Sequence, residues 1–412
     1  MTENLQILFI GAVWPEPASS AGGSRSIQLL NLFRKRGWAV TVGCASSDSE
    51  FAVDLSALDL GKVNIELNNS SFDSFVKGLS PDIVVFDKFM TEEQFGWRVA
   101  EACPDALRIL DTIDLHCLRQ ARHQALKEKR NFVLDDLVSD IAKREIASIL
   151  RCDMSLIISD MEMSLLTEYF KVDDELLHYL PFLLEPVDVN NFRPFESRSG
   201  FITIGNFLHE PNWDSVKYLK ETIWPLIRKR MPDAVMNIYG AYSSQKVEQL
   251  HKPSEGFFIH GRAEDALDVI SKAKVLLAPL RFGAGIKGKL SDAMMVGTPS
   301  VTTSIGAEGM CSFREWNGIV TDEPEAFADG AVELYNNKVL WNESQKHGAD
   351  IVNDLFSKEH NEKALIERIK FVKEYLPKHR IRNFYGAMLM HHTLSSTKYM
   401  SKWIEEKGKR MC

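Results

Sequence analysis

The sequence predicts an α/β fold built as two successive domains, each a series of buried parallel strands with helices between them. Three observations lead there. Short all-apolar runs, such as Ile7 to Ile10, Ile83 to Phe86 and Val275 to Leu277, are each followed by a turn and then by helical spacing. Strands buried on both faces read this way. The series stops in a polar stretch with two prolines, Glu185 to Gly200, and starts again at Phe201. The length of 412 residues suits two or three domains.

The first strand, Ile7 to Ile10, ends at Gly11, and a loop runs on to Ala21-Gly22-Gly23-Ser24. Arg25 to Arg36 carries apolar residues at helical spacing (Ile27, Leu30, Leu32, Phe33), and Gly37 stops it. Trp38 to Val42 returns as a strand. Gly22 and Gly23 leave room for a ligand at the helix start, with Ser24 as its cap; a plain turn is the other reading. Pro81 to Asp87 is the next strand, followed by a helix over Phe89 to Ala100 capped at Thr91, and by a strand over Ala106 to Asp111. His116 comes just after that strand. Ligands of open parallel sheets lie beyond the carboxyl ends of the strands, so topology brings His116 to a cleft. A hydrogen-bonded structural histidine is the alternative. Arg119 and Arg122, one helical turn apart, read as salt-bridge formers or as ligands for an anionic acceptor group. Lys127 to Leu150 reads as one long amphipathic helix. Met154 to Ser159 is a strand, Asp160-Met161-Glu162 opens the next helix, and Tyr179 to Phe182 closes the domain.

In the second domain, Phe201 to Gly205 is a strand, Asn206 to Asn212 a turn and Trp213 to Arg230 a helix. Strands follow at Val235 to Tyr239 and Phe257 to Gly261. The stretch Ala278 to Pro299 then organises the domain. After the strand comes a glycine-rich turn, Phe282-Gly283-Ala284-Gly285-Ile286, then Lys287, Lys289 and Asp292 in a helix that closes at Gly297. Glycines let backbone N–H groups approach a ligand, and a helix N-terminus adds partial positive charge. Two lysines beside them suit a phosphate or pyrophosphate. Asp292, further along, would repel phosphate but accepts hydrogen bonds from a ribose diol. A strand, a turn and a helix with a solvated lysine pair is the other reading of these residues.

This segment resembles the donor-site signature of retaining glycosyltransferases of family 4 (glycosyl transferases group 1), which have the GT-B fold. The resemblance rests on Gly283, Gly285, Lys287, Lys289, Asp292, Ala293, Met294, Gly297, Pro299 and Val301. Two positions depart from the family: Asp292 stands where the ribose-binding Glu is usual, and Ala284 where the first Glu of the pair would fall. The resemblance implies two Rossmann-like domains facing a cleft, with a C-terminal helical tail crossing back to the first. Boundaries are expected at 1–190 for the acceptor side, 200–370 for the donor side and 371–412 for the tail. It implies a nucleotide diphosphate sugar as co-substrate, no further cofactor and retention at the anomeric carbon. Gly22 and Gly23 would face the donor phosphates or the acceptor, and His116 the transferred sugar. The turn at Asn206 to Asn212 lacks the Arg and Lys that many members carry, so the phosphate clamp falls on Lys287 and Lys289, with Arg281 a candidate. The amides of Gly283, Ala284, Gly285 and Ile286 would assist, Asp292 would hold the ribose, and Arg262 lies where the base is contacted.

No two aspartates are separated by a single residue, so the D-x-D metal site of other transferases is missing and no metal is expected. The net charge of −8 argues against a general nucleic-acid scaffold. The six cysteines form no CxxC pair, which points to reduced thiols in a cytoplasmic protein and away from zinc. The N-terminus lacks the basic start and long apolar core of a signal peptide, and no run is long enough to span a membrane. In the tail, Lys378, Arg380, Arg382, Lys398, Lys402, Lys407, Lys409 and Arg410 are interleaved with aromatic and aliphatic residues. This reads as helices packed on the first domain with a solvated basic face, or as a peripheral contact with anionic lipid heads. The function expected is transfer of a sugar to an acceptor the sequence leaves open: a glycan, a lipid-linked sugar or a protein. A catalytically silent nucleotide-sugar-binding or scaffolding subunit is the alternative, and a sugar epimerase a third.

Overall fold

The computed structural model describes residues 4–391 together with 399, 400 and 403. The first sheet comprises β1 (Gln6–Gly11), β2 (Ala39–Cys44), β3 (Gly61–Asn64), β4 (Ile83–Asp87), β5 (Leu107–Asp111), β6 (Met154–Ile157) and β7 (Leu177–Tyr179). Its order is β3-β2-β1-β4-β5-β6-β7, parallel throughout. The second comprises β8 (Phe201–Ile204), β9 (Met236–Tyr239), β10 (Phe257–Ile259), β11 (Val275–Ala278), β12 (Ser300–Thr302) and β13 (Gly318–Val320). Its order is β10-β9-β8-β11-β12-β13, again parallel. Both are doubly wound sheets, as the sequence predicts. Burial on both faces explains the all-apolar runs: Ile7 and Phe9 of β1 enter one core cluster, Leu8 and Ile10 the other.

Strand order reverses between β1 and β4 in the first sheet and between β8 and β11 in the second. The crevices at these reversals are where ligands of such sheets sit. The two crossings between domains run side by side: Leu184 N donates to Phe356 O at 2.9 Å and Lys358 N to Leu184 O at 3.0 Å. After the second crossing, the helix Lys358–Glu374 buries Leu365, Ile366, Ile369 and Val372 in the first domain's core. The crossing-back thus begins before residue 371. Helices Leu376–Arg382 and Phe384–Met390 follow. Arg380 pairs with Asp153 at 2.7 Å and Arg382 with Glu175 at 3.3 Å, so these two tail cations are held by the protein. Lys398, Lys402, Lys407, Lys409 and Arg410 lie outside the described residues.

Three local expectations are corrected. The first helix is Ala21–Lys35, capped by Ser20, whose Oγ accepts from Gly23 N at 3.0 Å; Ser24 instead donates to Pro17 O. Gly22 and Gly23 therefore belong to the first helical turn. The helix after β4 is Phe89–Ala102 with Lys88, not Thr91, at its cap. Thr91 lies within the first turn and donates to the carbonyls of Asp87 and Lys88. The single helix expected over 127–150 begins only at Asp140 and runs to Arg151, capped by Ser139. A separate helix, His116–Lys127, precedes it and has His116 at its start.

Candidate functional site

Loops from both switch points enclose a cavity of about 610 Å³ between the domains. Residues after β1, β4 and β5 form most of one wall, those after β8, β9, β10 and β11 most of the other. A methyl added at Gly288 would come within 2.7 Å of the Ala21 side chain, so the first turns of helices Ala21–Lys35 and Gly288–Met295 meet across the cleft. Their positive ends share one space, which suits an anion.

Lys287, Lys289 and Asp292 line this cavity. The Lys287 ammonium donates to Gly285 O at 2.7 Å, and burial lowers its pKa to about 8, opposed by the nearby Glu308. Lys289 and Asp292 make no side-chain hydrogen bond or ion pair among the described residues. Both are partly exposed to the cavity and otherwise walled in by protein. Desolvation lowers Lys289 to about 8 and raises Asp292 to about 7. Two chargeable groups without partners, facing one cavity, are poised for a ligand that supplies both an anion and hydroxyl donors.

Opposite them, His116 lines the cavity, its ring 3.4 Å from the Asp114 carboxylate and edge-on to Phe89. Burial holds the imidazole neutral, with its pKa down at about 4, despite Asp114. Asp114 itself is paired with Arg119. Two buried carboxylates support this corner. Glu145 accepts the backbone N–H groups of His116 and Cys117, each at 2.9 Å, and so closes the helix start. Glu162 accepts from Leu115 N and, across the cleft, from Gly285 N, both at 2.9 Å; its second oxygen has no partner. Burial pushes both glutamates up to about 7.

Residues 198–337 match the family model described as Glycosyl transferases group 1. The fold is GT-B. Three solved structures show this GT-B likeness over nearly their whole length. Sucrose-phosphate synthase (tll1590) from Thermosynechococcus elongatus is 15% identical, with 89% of this chain and 99% of that one covered and a TM-score of 0.69. Anabaena Alr3699/HepE, in complex with UDP and glucose, is 12% identical over 89% and 99%, with a TM-score of 0.65. A glycosyltransferase from Rickettsia africae is 13% identical over 91% and 99%, with a TM-score of 0.64. No curated protein matches the chain by sequence.

Within the GT-B cleft the candidates from the sequence divide. Gly22, Gly23, His116, Gly283, Ala284, Ile286, Lys287, Lys289 and Asp292 line the cavity together. Arg281 does not: Asp214 holds its guanidinium, with Nε to Oδ2 at 2.9 Å, over the Tyr218 ring. Gly285 does not either. Its N–H is taken by Glu162, and a side chain there would meet Asp114 at 2.8 Å, so this glycine serves the contact between domains. Arg262 lies over the Phe51 ring at 4.7 Å. Arg122 makes a bidentate pair with Glu308 across the cleft, both contacts at 2.7 Å. Sequence reading passed over Asp114 and Glu145, gave Glu162 only a place at a helix start, and missed Lys88. A carboxylate soon after an all-apolar strand was the available signal for Asp114 and Glu162. Glu145 carried none, being one of many charges on an amphipathic helix.

Proposed function

We propose that the chain is a retaining glycosyltransferase that moves a sugar from a nucleoside diphosphate sugar to an acceptor hydroxyl without a metal. The observation that carries this is the set Lys287, Lys289 and Asp292, facing the cavity at the second domain's switch point beside two helix N-termini. The hard step is departure of the nucleoside diphosphate. Lys289, and Lys287 on leaving the Gly285 carbonyl, would neutralise the charge growing on the leaving oxygen. Fixed donors of this kind are each worth about 3 kcal/mol of barrier. Asp292 would accept from the ribose hydroxyls. His116, kept neutral, would hold a hydroxyl of the transferred sugar. The lysines supply the positive charge that a metal gives elsewhere, hence the metal-free reading. HepE was seen with UDP and glucose, so UDP is the first nucleotide to try.

Thermal shift against UDP, GDP, ADP, dTDP and CDP, with and without EDTA, tests this. One nucleotide should raise the midpoint whether or not EDTA is present. Lys287→Ala and Lys289→Ala should each weaken its binding about tenfold, and Asp292→Asn should erode the preference for ribo- over deoxyribonucleotide. No shift with any of the five would overturn the reading. Ala284, which leaves no acid at its place on the wall, favours the silent subunit as the second reading. Hydrolysis of the matching nucleotide sugar separates the two: a transferase releases sugar slowly without acceptor, a silent subunit does not.

A further inference from the structure

We propose that Lys88 binds the anionic group of the acceptor, and that the acceptor carries a phosphate monoester or a similarly compact anion. The proposal rests on the reading of the cleft as a glycosyl-transfer site.

Lys88 directly follows β4 at the first domain's switch point, on the wall opposite Lys287 and Lys289, and lines the cavity. Its backbone is at φ 71° and ψ 156°, a region that is essentially glycine's alone. The fold needs that backbone. Its N–H donates to Asp111 O at 2.8 Å, and its carbonyl accepts from Thr91 N at 3.1 Å and from the Thr91 hydroxyl at 2.9 Å. Glycine would make all three bonds without strain. Only the side chain distinguishes lysine here, yet that side chain makes no hydrogen bond or ion pair among the described residues.

Carboxylates on its own and the neighbouring strand or on the same wall of the cavity each have at least one partner, and one oxygen of Asp114 has no hydrogen-bond partner. Asp87 accepts from Ala12 N at 3.1 Å, Asp111 from Arg25 at 2.9 Å, and Asp114 pairs with Arg119. Glu16 accepts from the Tyr242 hydroxyl at 2.9 Å. Burial is the main reason the pKa of the His116 and His209 rings is low, and the Lys88 ammonium adds a smaller lowering to both. Lys88 and His116 share the first domain's wall of the cavity, so on the glycosyl-transfer reading Lys88 would lie on the acceptor side. The helix Phe89–Ala102 begins at the next residue and adds its positive end to the same place. A cation without a partner, held in a costly conformation at a helix start, is matched to a small dense anion.

The test is calorimetry on the full-length protein, saturated with whichever of UDP, GDP and ADP binds tightest. It is titrated with inorganic phosphate, with glycerol 3-phosphate and with phosphatidic acid vesicles, which carry the monoester free and lipid-borne. Wild type should bind at least one of these, and its preference names the source. Lys88→Met should lose at least tenfold in that affinity while nucleotide affinity stays within about twofold, and Lys88→Arg should retain most of it. Lys88→Gly should melt at a higher temperature than wild type and yet lose the anion, which a merely structural lysine would not do. Equal phosphate affinity in wild type and Lys88→Met, or none in either, would overturn the proposal. A loss of nucleotide affinity in Lys88→Met matching that of Lys287→Ala would place Lys88 in the donor clamp and also overturn it. Failure of every nucleotide to bind, with Lys88-dependent phosphate binding intact, would instead count against the glycosyl-transfer reading alone.

Discussion

At the residue scale, the cleft concentrates conformations and charges that folding alone would avoid. Lys88, Ile113 and Tyr242 all have positive φ and all line the cavity; for the β-branched Ile113, at φ 64°, this is a marked departure. Such residues typically cost about 1–3 kcal/mol each and gather at functional sites. The titrating groups make a pH prediction. On the proposed reading, Asp292, at about 7, would accept from a ribose as a carboxylate, and Lys287 and Lys289, at about 8, would hold phosphate as ammonium groups. Nucleotide affinity should therefore peak between those values and weaken about tenfold toward either side. Calorimetry across pH should show the acid limb vanish in Asp292→Asn. Glu162 bears on stability. Its pKa rises on folding from 4.5 to about 7, so its contribution is full below 4.5 and is lost as pH climbs through about 7. Glu162→Gln should be more stable than wild type at alkaline pH, on the order of 1–3 kcal/mol, and the gap should close toward pH 5. Urea unfolding at several pH values measures it.

At the scale of elements, strands and helices are placed by burial and then tied by a few ionic contacts. Arg25, on the first helix, is 1% exposed and faces the wholly buried Asp111 of β5 at 2.9 Å. It also donates to the carbonyls of Leu180 and Pro181, at 2.7 and 3.2 Å, where the chain leaves the first domain. One guanidinium thus joins helix, strand and exit. Removing it strands a carboxylate in the core, so Arg25→Met should lose about 3–5 kcal/mol by chemical denaturation. These ties were not legible in the sequence. Arg25 stands at the start of an amphipathic pattern, where an arginine is usually solvated, and Asp111 is one of several acids after a strand. The caps were misplaced for a related reason. Glycines and a serine marked the helix start correctly to within one turn, but which hydroxyl caps it depends on where the preceding loop delivers the chain.

For the whole molecule, the cleft is held shut from several sides. Arg122 with Glu308, Glu162 with Gly285, Tyr242 with Glu16 and the His123 ring stacked on Phe282 at 4.1 Å all join one domain to the other. The Arg122–Glu308 pair is bidentate and mostly shielded from solvent, with side-chain exposures of 11% and 22%. Glu308→Ala should let the domains separate, seen as a larger radius of gyration in solution scattering, and nucleotide should reverse part of the change. An unchanged radius would mean that the other contacts hold the closed form unaided.

The sequence alone determined the two doubly wound sheets, since strands buried on both faces must be apolar throughout and helices must show their period. It also singled out one wall of the cavity, because the glycines, both lysines and Asp292 lie within ten residues of one another and need only a local turn to meet. Tertiary structure decided the rest. Whether Arg281 faces the cavity depends on Asp214, distant in the chain, and whether Gly285 offers its amide to a ligand depends on Glu162 in the other domain. Lys88 became visible only with its backbone angles and the partners that neighbouring carboxylates already have. Strain and the lack of a partner depend on what surrounds a residue, and those surroundings come from chain segments far apart in sequence.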